Sequence, residues 1–336
     1  MNILFLSAGR RGELLKDFRN SLTPGSHIIA TDNSKYAPAL YYADYAYLVP
    51  KIDDPSYIDT ILDICKKEDI DAVTTLIDPE IMILSENRPK FSEIGVEVLA
   101  PYLETAQLAF DKYEMFKYLK EHDVPTPETF NTADEAIDAV RSRKYEFPLF
   151  VKPRRGSGSV GARKVFDEDE LREAFKEDES LIAQELMTGD GCIDVDADIY
   201  VDTISHEAVS AFSKRKISTT IGGANKTISF KDSKLFEFIH SFMQYFKFNG
   251  PLDADFFYKN GKYYLSEINP RFGGAYLHAY GAGVDFVKLI ENNVNGVVNK
   301  AQFGNYEENI VMLMYDTVVI GKDDGTNSTL LDSSIK

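Results

Sequence analysis

The residues best suited to chemistry lie in one stretch, Asp253 to Arg271, DADFFYKNGKYYLSEINPR. Apolar and aromatic residues run up to Lys259, Asn260-Gly261 interrupts them, and a second Tyr-rich run ends in Glu267, Asn269 and Arg271. This pattern predicts a β-hairpin with acidic and amide groups near the far ends of its two strands. Side chains alternate along a strand, so Glu267 and Asn269 share a face. Whether Asp255 joins them depends on the turn. A two-residue loop at Asn260-Gly261 would pair Asp255 with Ser266 and turn its carboxylate away. A three-residue loop, Lys259 to Gly261 with Gly261 left-handed in a bulge, pairs Asp255 with Leu265 and makes Glu267 its diagonal neighbour. The three-residue loop is the expectation. It converges two carboxylates and a carboxamide oxygen, a set that suits Mg²⁺ or Mn²⁺ carrying phosphate oxygens. For a hairpin taken alone, the competing reading is a solvated polar face.

Two further segments could handle an anion. Arg154-Arg155-Gly156-Ser157-Gly158-Ser159-Val160-Gly161 is the most glycine-dense part of the chain. Backbone N–H groups of such a loop can fold over phosphates because no Cβ blocks the approach, although a flexible hairpin loop would carry the same residues. Lys152, at the end of the run Phe147 to Val151, weighs towards phosphate, because an ammonium closing a buried strand needs an anionic partner. Lys214-Arg215-Lys216, followed by Gly222-Gly223-Ala224-Asn225-Lys226, places three cations together in an acidic chain. That favours an anion site over an ordinary basic strand end.

Glu267-Ile268-Asn269-Pro270-Arg271 closely resembles the metal-binding strand of ATP-grasp enzymes. The order of Lys112, Lys152, residues 154–161, Gln184-Glu185-Leu186-Met187 and Asp255/Glu267/Asn269 resembles that superfamily over most of the chain. The resemblance implies ATP as cosubstrate, with two Mg²⁺ (or Mn²⁺) ions held by Asp255, Glu267 and Asn269. It implies that Lys112 and Lys152 contact the α and β phosphates and that Gly156, Ser157, Gly158 and Ser159 cover them. Glu185, Leu186 and Met187 would line the adenine pocket. Arg215 and Arg271 would be the catalytic cations, and residues 271–276 the floor under an acyl phosphate. One position departs from the family. Relatives usually place a ribose-binding Glu two or three residues past a Gly after the hinge. Here Gly189 is followed by Asp190-Gly191-Cys192-Ile193-Asp194, which makes Asp194 the first ribose candidate and Asp190 the second.

Within the superfamily the chain looks most like the carbamoyl-phosphate-synthase-like and carboxylate-amine ligase branch. That likeness implies an enzyme that activates a small carboxylate as an acyl phosphate, joins it to an amine, and releases ADP and phosphate. Two alternatives stay open: phosphorylation of carbamate or another small acid without a coupled amine, and a non-catalytic ATP-binding regulatory module. Relatives often dimerise through the N-terminal unit, which makes a homodimer an expectation of the resemblance.

The elements that must position these groups follow from the rest of the chain. With 336 residues, two or three packed units are possible. A net charge of −17, from 37 basic and 54 acidic residues, repels nucleic acid and anionic membrane alike. Two cysteines and five histidines, none in metal-ligand spacing, argue against a disulfide framework, structural zinc or a nucleophile triad. No apolar run approaches ~18 residues, so a soluble cytoplasmic protein is expected.

Residues 1–105 alternate short strands with amphipathic helices, which predicts a parallel, doubly wound sheet. Ala8-Gly9-Arg10-Arg11-Gly12 lacks a full GxGxxG pattern and reads as a tight strand-to-helix turn. Asp78 and Glu80, after a strand, either touch the acceptor substrate or cap the helix beginning at Pro79. A helix from Glu104 to Glu121 carries Asp111-Lys112. The tail from Gly321 is polar and is expected to be loosely ordered. The expected class is therefore α/β: an ATP-grasp fold preceded by a Rossmann-like parallel-sheet domain. Its divisions would be 1–105, a lid of 106–186 with the glycine-rich loop, a large subdomain of 187–305 with the metal strands, and 306–336.

Overall fold

Short apolar strands separated by amphipathic helices bury their apolar surfaces only by layering one on the other, and the N-terminal part of the chain does so. The structure, a computed structural model, describes residues 1–156, 161–189, 191–220, 223–323 and 328–330. It begins with β1 (Ile3–Leu6), α1 (Gly12–Ser21), β2 (Ile28–Asp32), β3 (Tyr45–Leu48), α2 (Tyr57–Lys67), β4 (Ala72–Thr75), α3 (Asp78–Glu93) and β5 (Glu97–Val98). These strands are parallel, in the order β3-β2-β1-β4-β5. The connections reverse direction between β1 and β4, so the loops after those two strands open one crevice at the carboxyl edge of the sheet. Sequence patterning misses β3, whose Tyr-Ala-Tyr-Leu is largely exposed.

The helix expected from Glu104 to Glu121 is two helices, α4 (Leu103–Phe110) and α5 (Lys112–Glu121). Asp111 between them is extended, and its side chain accepts the N–H groups of Tyr113 and Glu114, capping α5. The break places Lys112 at the first position of a new helix, with its N–H donating to Arg154 O at 3.1 Å. A four-stranded antiparallel sheet, ordered β6-β9-β7-β8, follows. It comprises β6 (Thr129–Phe130), α6 (Ala133–Arg141), β7 (Leu149–Pro153), β8 (Arg163–Val165), α7 (Glu168–Glu177) and β9 (Leu181–Glu185). Its apolar face packs under α6 and α7.

The largest sheet is built from β10 (Ile193–Val201), β11 (Ala208–Thr220), β12 (Gly223–Ser229), β13 (Gly250–Lys259), β14 (Lys262–Asn269) and β15 (Val311–Leu313). Helices α8 (Ser233–Met243), α9 (Tyr276–Gly281) and α10 (Phe286–Val294) surround it. Its strand order is β14-β13-β10-β11-β12-β15. One face carries Val195, Ala197, Ile199, Ala254, Phe256 and Leu265, packed with α5 and α8. Strict alternation turns Asp194, Asp196, Asp198, Lys214, Lys216, Asp253 and Asp255 to the other face. Beyond these strands, β16 (Gly321–Asp323) and β17 (Ser328–Leu330) pair where loose order was expected.

The hairpin differs from its expected form. Lys259 pairs with Lys262, and Asn260 and Gly261 both have positive φ (52° and 80°), a two-residue turn of the kind Asn-Gly favours. The extra residue lies further along, where the register slips between Phe256↔Leu265 and Asp255↔Glu267, leaving Ser266 as a bulge. Leu265 N–H donates to Pro125 O (2.9 Å) outside the hairpin. Asp255 therefore stands directly opposite Glu267.

The parallel sheet docks on the large sheet through α1, which packs against α9 and α10 in a common core that includes Phe18, Phe272, Tyr276 and Phe286. Asp17 lies on this helix, and its Oδ2 is buried with no hydrogen-bond partner among the described residues. Burial, then Glu13 and Asp285, push its carboxyl up to about 7. An unfolded Asp ionises near 4, so between pH ~4 and ~7 the unfolded chain releases a proton that the folded chain keeps, and stability falls across that window. Asp17→Asn is expected to flatten this decline and to raise stability by at least about 1 kcal/mol at pH 8, with little effect below pH 4. Urea denaturation across a pH series checks it.

Candidate functional site

The polar face of the large sheet is a ladder of opposed charges. Asp255 is cross-strand to Glu267 and to Asp196, and Asp253 is cross-strand to Asn269 and to Asp198. Carboxylates at such spacing repel, and burial removes the water that would screen them. Two lysines of β11 compensate. Lys214, with no exposed surface, sits 2.8 Å from Asp196 Oδ1 and 2.5 Å from Asp198 Oδ2. Lys216 pairs with Asp255 and, at 3.1 Å, with Asp194. Burial opposes the charge on both ammonium groups, but the neighbouring aspartates more than offset it, so both titrate above the ordinary lysine range. Compensation is incomplete: Asp198 Oδ1 and Asp253 Oδ1 are buried without a hydrogen-bond partner among the described residues. Burial, opposed by Lys216 and assisted by Asp196 and Glu267, pushes Asp255 up to about 6.

Asp255, Glu267 and Asn269 thus share one face, as the hairpin argument requires, although the bulge and not the turn brings this about. Lys112 Nζ lies 3.6 Å from Glu267 and donates to Gly156 O at 2.6 Å, which brings the start of the glycine-rich loop to the metal strand. Ser157, Gly158 and Ser159 lie outside the described residues, as does Asp190. Lys152 is buried at the end of β7 with no ion-pair partner among the described residues. Burial lowers its pKa, and Glu267 only partly restores it. A buried ammonium in that condition is a seat for an anion.

At the end of β9, Glu185 Oε1 accepts Glu128 N–H (2.9 Å), so that side chain is tied to the start of the lid. Leu186 and the buried Met187 follow it directly. Asp194 reaches the site face but is already paired with Lys216. Arg215 is a correction. It points to the opposite face, exposed, with its guanidinium over the Phe230 ring at 4.8 Å. The cations that enter the site from this segment are its neighbours Lys214 and Lys216, because alternation admits either the middle residue or the flanking two.

Arg271 is in place. Its Nε lies 2.7 Å from Asp78 Oδ1 and its Nη2 3.2 Å from Asp78 Oδ2, an ion pair that joins α3 to the strand end. Arg11, which the sequence places in a plain turn, also reaches the site: its guanidinium donates to Gly273 O (2.7 Å) and Phe272 O (3.4 Å). Burial, then Arg271, lowers it to about 10. Gly273 must lack a side chain, since a Cβ there would come within 2.7 Å of Asp253 Oδ1 and 2.9 Å of Asp198 Oδ1. A cleft open to solvent adjoins these groups. Asp78, Met82, Phe110, Lys112, Glu267 and Asn269 are among the residues that line it.

An ATP-grasp domain model matches residues 109–275, and a PylC-like N-terminal domain model matches residues 3–99. The chain belongs to the ATP-grasp superfamily. Formate-dependent phosphoribosylglycinamide formyltransferase of Sulfolobus acidocaldarius is 28% identical over 156 residues, 46% of this chain and 37% of that protein. Carbamoyl phosphate synthase large chain of Sulfolobus acidocaldarius is 22% identical over 285 residues, 81% of this chain and 26% of that protein. The chain thus spans well under half the length of these curated relatives. The biotin carboxylase domain of Hydrogenobacter thermophilus 2-oxoglutarate carboxylase, solved with MgADP, ADP and bicarbonate, superposes with a TM-score of 0.73 at 17% identity. That match covers 92% of this chain and 73% of that one. The fold is the ATP-grasp fold preceded by a parallel-sheet domain.

The ATP-grasp donor set fits a hard divalent ion. All its atoms are oxygens, two of the groups are directly opposed carboxylates, and ammonium groups already lean on both of them. Among the described residues no group of three or more His, Cys, Asp or Glu is placed to hold a metal ion by itself. No helix among the described residues is long and apolar enough to cross a membrane. The two faces of β11 give a direct test. Lys216→Met is expected to cost about 3 kcal/mol by stranding Asp255 and Asp194, whereas Arg215→Met should cost less than about 1 kcal/mol. Chemical denaturation of both variants measures the difference.

Proposed function

We propose that this protein is an ATP-dependent ligase that activates a small carboxylate as an acyl phosphate and joins it to an amine. The observation that carries the reading is Asp255 facing Glu267 with Asn269 on the same face, bordered by Lys112, Lys216 and Arg271. ATP would lie between the four-stranded and six-stranded sheets. In this reading Glu185, Leu186 and Met187 line the adenine pocket and Asp194 faces the ribose. Lys112 and Lys152, the latter with no ion-pair partner among the described residues, meet the α and β phosphates beside Gly156. Asp255, Glu267 and Asn269 hold Mg²⁺ or Mn²⁺, which when bound neutralises charge on the γ-phosphoryl group and fixes its orientation.

A carboxylate oxygen of the substrate attacks the γ-phosphorus, and the bond from that phosphorus to the bridging oxygen breaks, leaving ADP. The amine nitrogen then attacks the acyl carbon, the carbon–oxygen bond to phosphate breaks, and the nitrogen gives up a proton. At the acyl carbon Arg271 alone acts in place of the two arginines expected from the sequence: it holds the carboxylate and then the oxyanion that forms from it. Lys216 is the cation that β11 offers to the phosphoryl group. Little covalent chemistry is asked of the chain, which agrees with a site made of fixed charges. Such an enzyme would work in the cytoplasm, where its nucleotide is held, and a homodimer through the parallel-sheet unit is part of the same reading.

Purified protein with Mg-ATP, a pool of small acids and hydroxylamine is expected to yield hydroxamate, ADP and phosphate. Glu267→Gln should lower ADP formation at least about a hundredfold. AMP and pyrophosphate as products, or no hydroxamate with any acid, would end this reading.

A further inference from the structure

Sequence left two roles open for Asp78: a helix cap or a substrate contact. The structure separates it from Glu80, its neighbour in the first turn of α3. Glu80 has no exposed surface and is bonded by the hydroxyls of Tyr57 and Thr75, so it belongs to the interior of the parallel sheet. Asp78 accepts no N–H group from its own helix among the described residues. Its partner there is Arg271, across the boundary between the two units. A second tie already holds that boundary, through Arg11 and the carbonyls of Phe272 and Gly273. Docking therefore does not explain why Asp78 occupies the cation that the ligase reading assigns to the substrate carboxylate. Both side chains keep some exposure, 15% for Arg271 and 18% for Asp78, so a solute can reach the pair. Asp78 Oδ1 is buried 2.7 Å from Arg271 Nε and makes no hydrogen bond among the described residues, so Arg271 is the cation on which its charge depends.

We propose that Asp78 and Arg271 together read a zwitterion, so that the acyl donor is an α-amino acid with an apolar side chain. This rests on the ligase reading and names its substrate. When a substrate carboxylate takes Arg271, Asp78 loses its cation. A plain carboxylic acid leaves Asp78 unpaired in a half-buried place, and that cost falls on the bound state. An acid that brings its own ammonium group returns a cation to Asp78 and avoids the cost. Discrimination is thus built into the exchange, by penalising the acid without nitrogen. The cleft beside the pair supplies the other half of the recognition. Ile81, Met82, Ala106, Ala109 and Phe110 give it an apolar lining next to the polar groups of Lys112, Gly156 and Glu267.

Matched pairs test the idea: leucine against 4-methylpentanoate, and phenylalanine against 3-phenylpropanoate. Each is assayed for hydroxamate with Mg-ATP and hydroxylamine, and for binding by calorimetry with Mg-ADP present. Wild-type protein is expected to favour the amino form at least about tenfold in kcat/KM and in affinity. Asp78→Asn should bring that ratio close to one, chiefly by raising KM for the amino form. Ala109→Phe, a variant away from the ion pair, should shift preference from leucine towards alanine by narrowing the cleft. Equal use of both members of each pair by wild type, or equal losses for both in Asp78→Asn, overturns the zwitterion proposal and leaves the ligase standing. Absence of hydroxamate with every acid removes the ligase, and the calorimetric ratio alone then decides whether the pair reads a zwitterion.

Discussion

Everything in this protein depends on a sheet face whose acidic groups are tolerable only beside cations. Asp194, Asp196, Asp198, Asp253, Asp255 and Glu267 all project from one side of adjacent strands. Any of them left alone out of water would cost several kcal/mol. Deep in the sheet the answer is Lys214, wedged between Asp196 and Asp198. Towards the open end the pairing loosens, to Lys112 at 3.6 Å from Glu267 and to Lys152 with no carboxylate partner among the described residues. The site is the unfinished end of an ion-pair network, and what completes it must carry both a cation and anionic oxygens. A metal-bound nucleotide has that description.

The same face explains why the parallel sheet is attached where it is. Its crevice at the β1 and β4 carboxyl ends meets the end of β14, and each of the two loops contributes a charged side chain. Arg11 steadies the backbone of Phe272 and Gly273, while Asp78 covers Arg271. The glycine at 273 allows that backbone to lie against the carboxylates of Asp253 and Asp198. The site is composite, since groups from both units meet around one strand end.

Much of this could be read from local residue order. The alternation of short strands with amphipathic helices, the hairpin of Asp253 to Asn269 and the shared face of Glu267 and Asn269 depend on neighbours a few residues apart. Side-chain periodicity is a property of the backbone itself, so it survives into the folded chain. The aspartates at 194, 196 and 198 carried the same signal, and so did the step from Asp253 to Asp255, whose second carboxylate needed only the same count of two.

Long-range contacts set the rest. Whether Arg215 or its flanking lysines face the site is a matter of which side of β11 meets the apolar core, and the core is assembled from α5, α8 and β13, far away in the chain. The bulge at Ser266 accompanies a hydrogen bond from Leu265 to Pro125, and no count along the hairpin could contain it. Arg11 and Asp78 become part of the site because one sheet docks against another, which brings together residues 262 and 193 positions apart. A short stretch of chain specifies its own geometry; it carries no record of the partners that folding will bring to it.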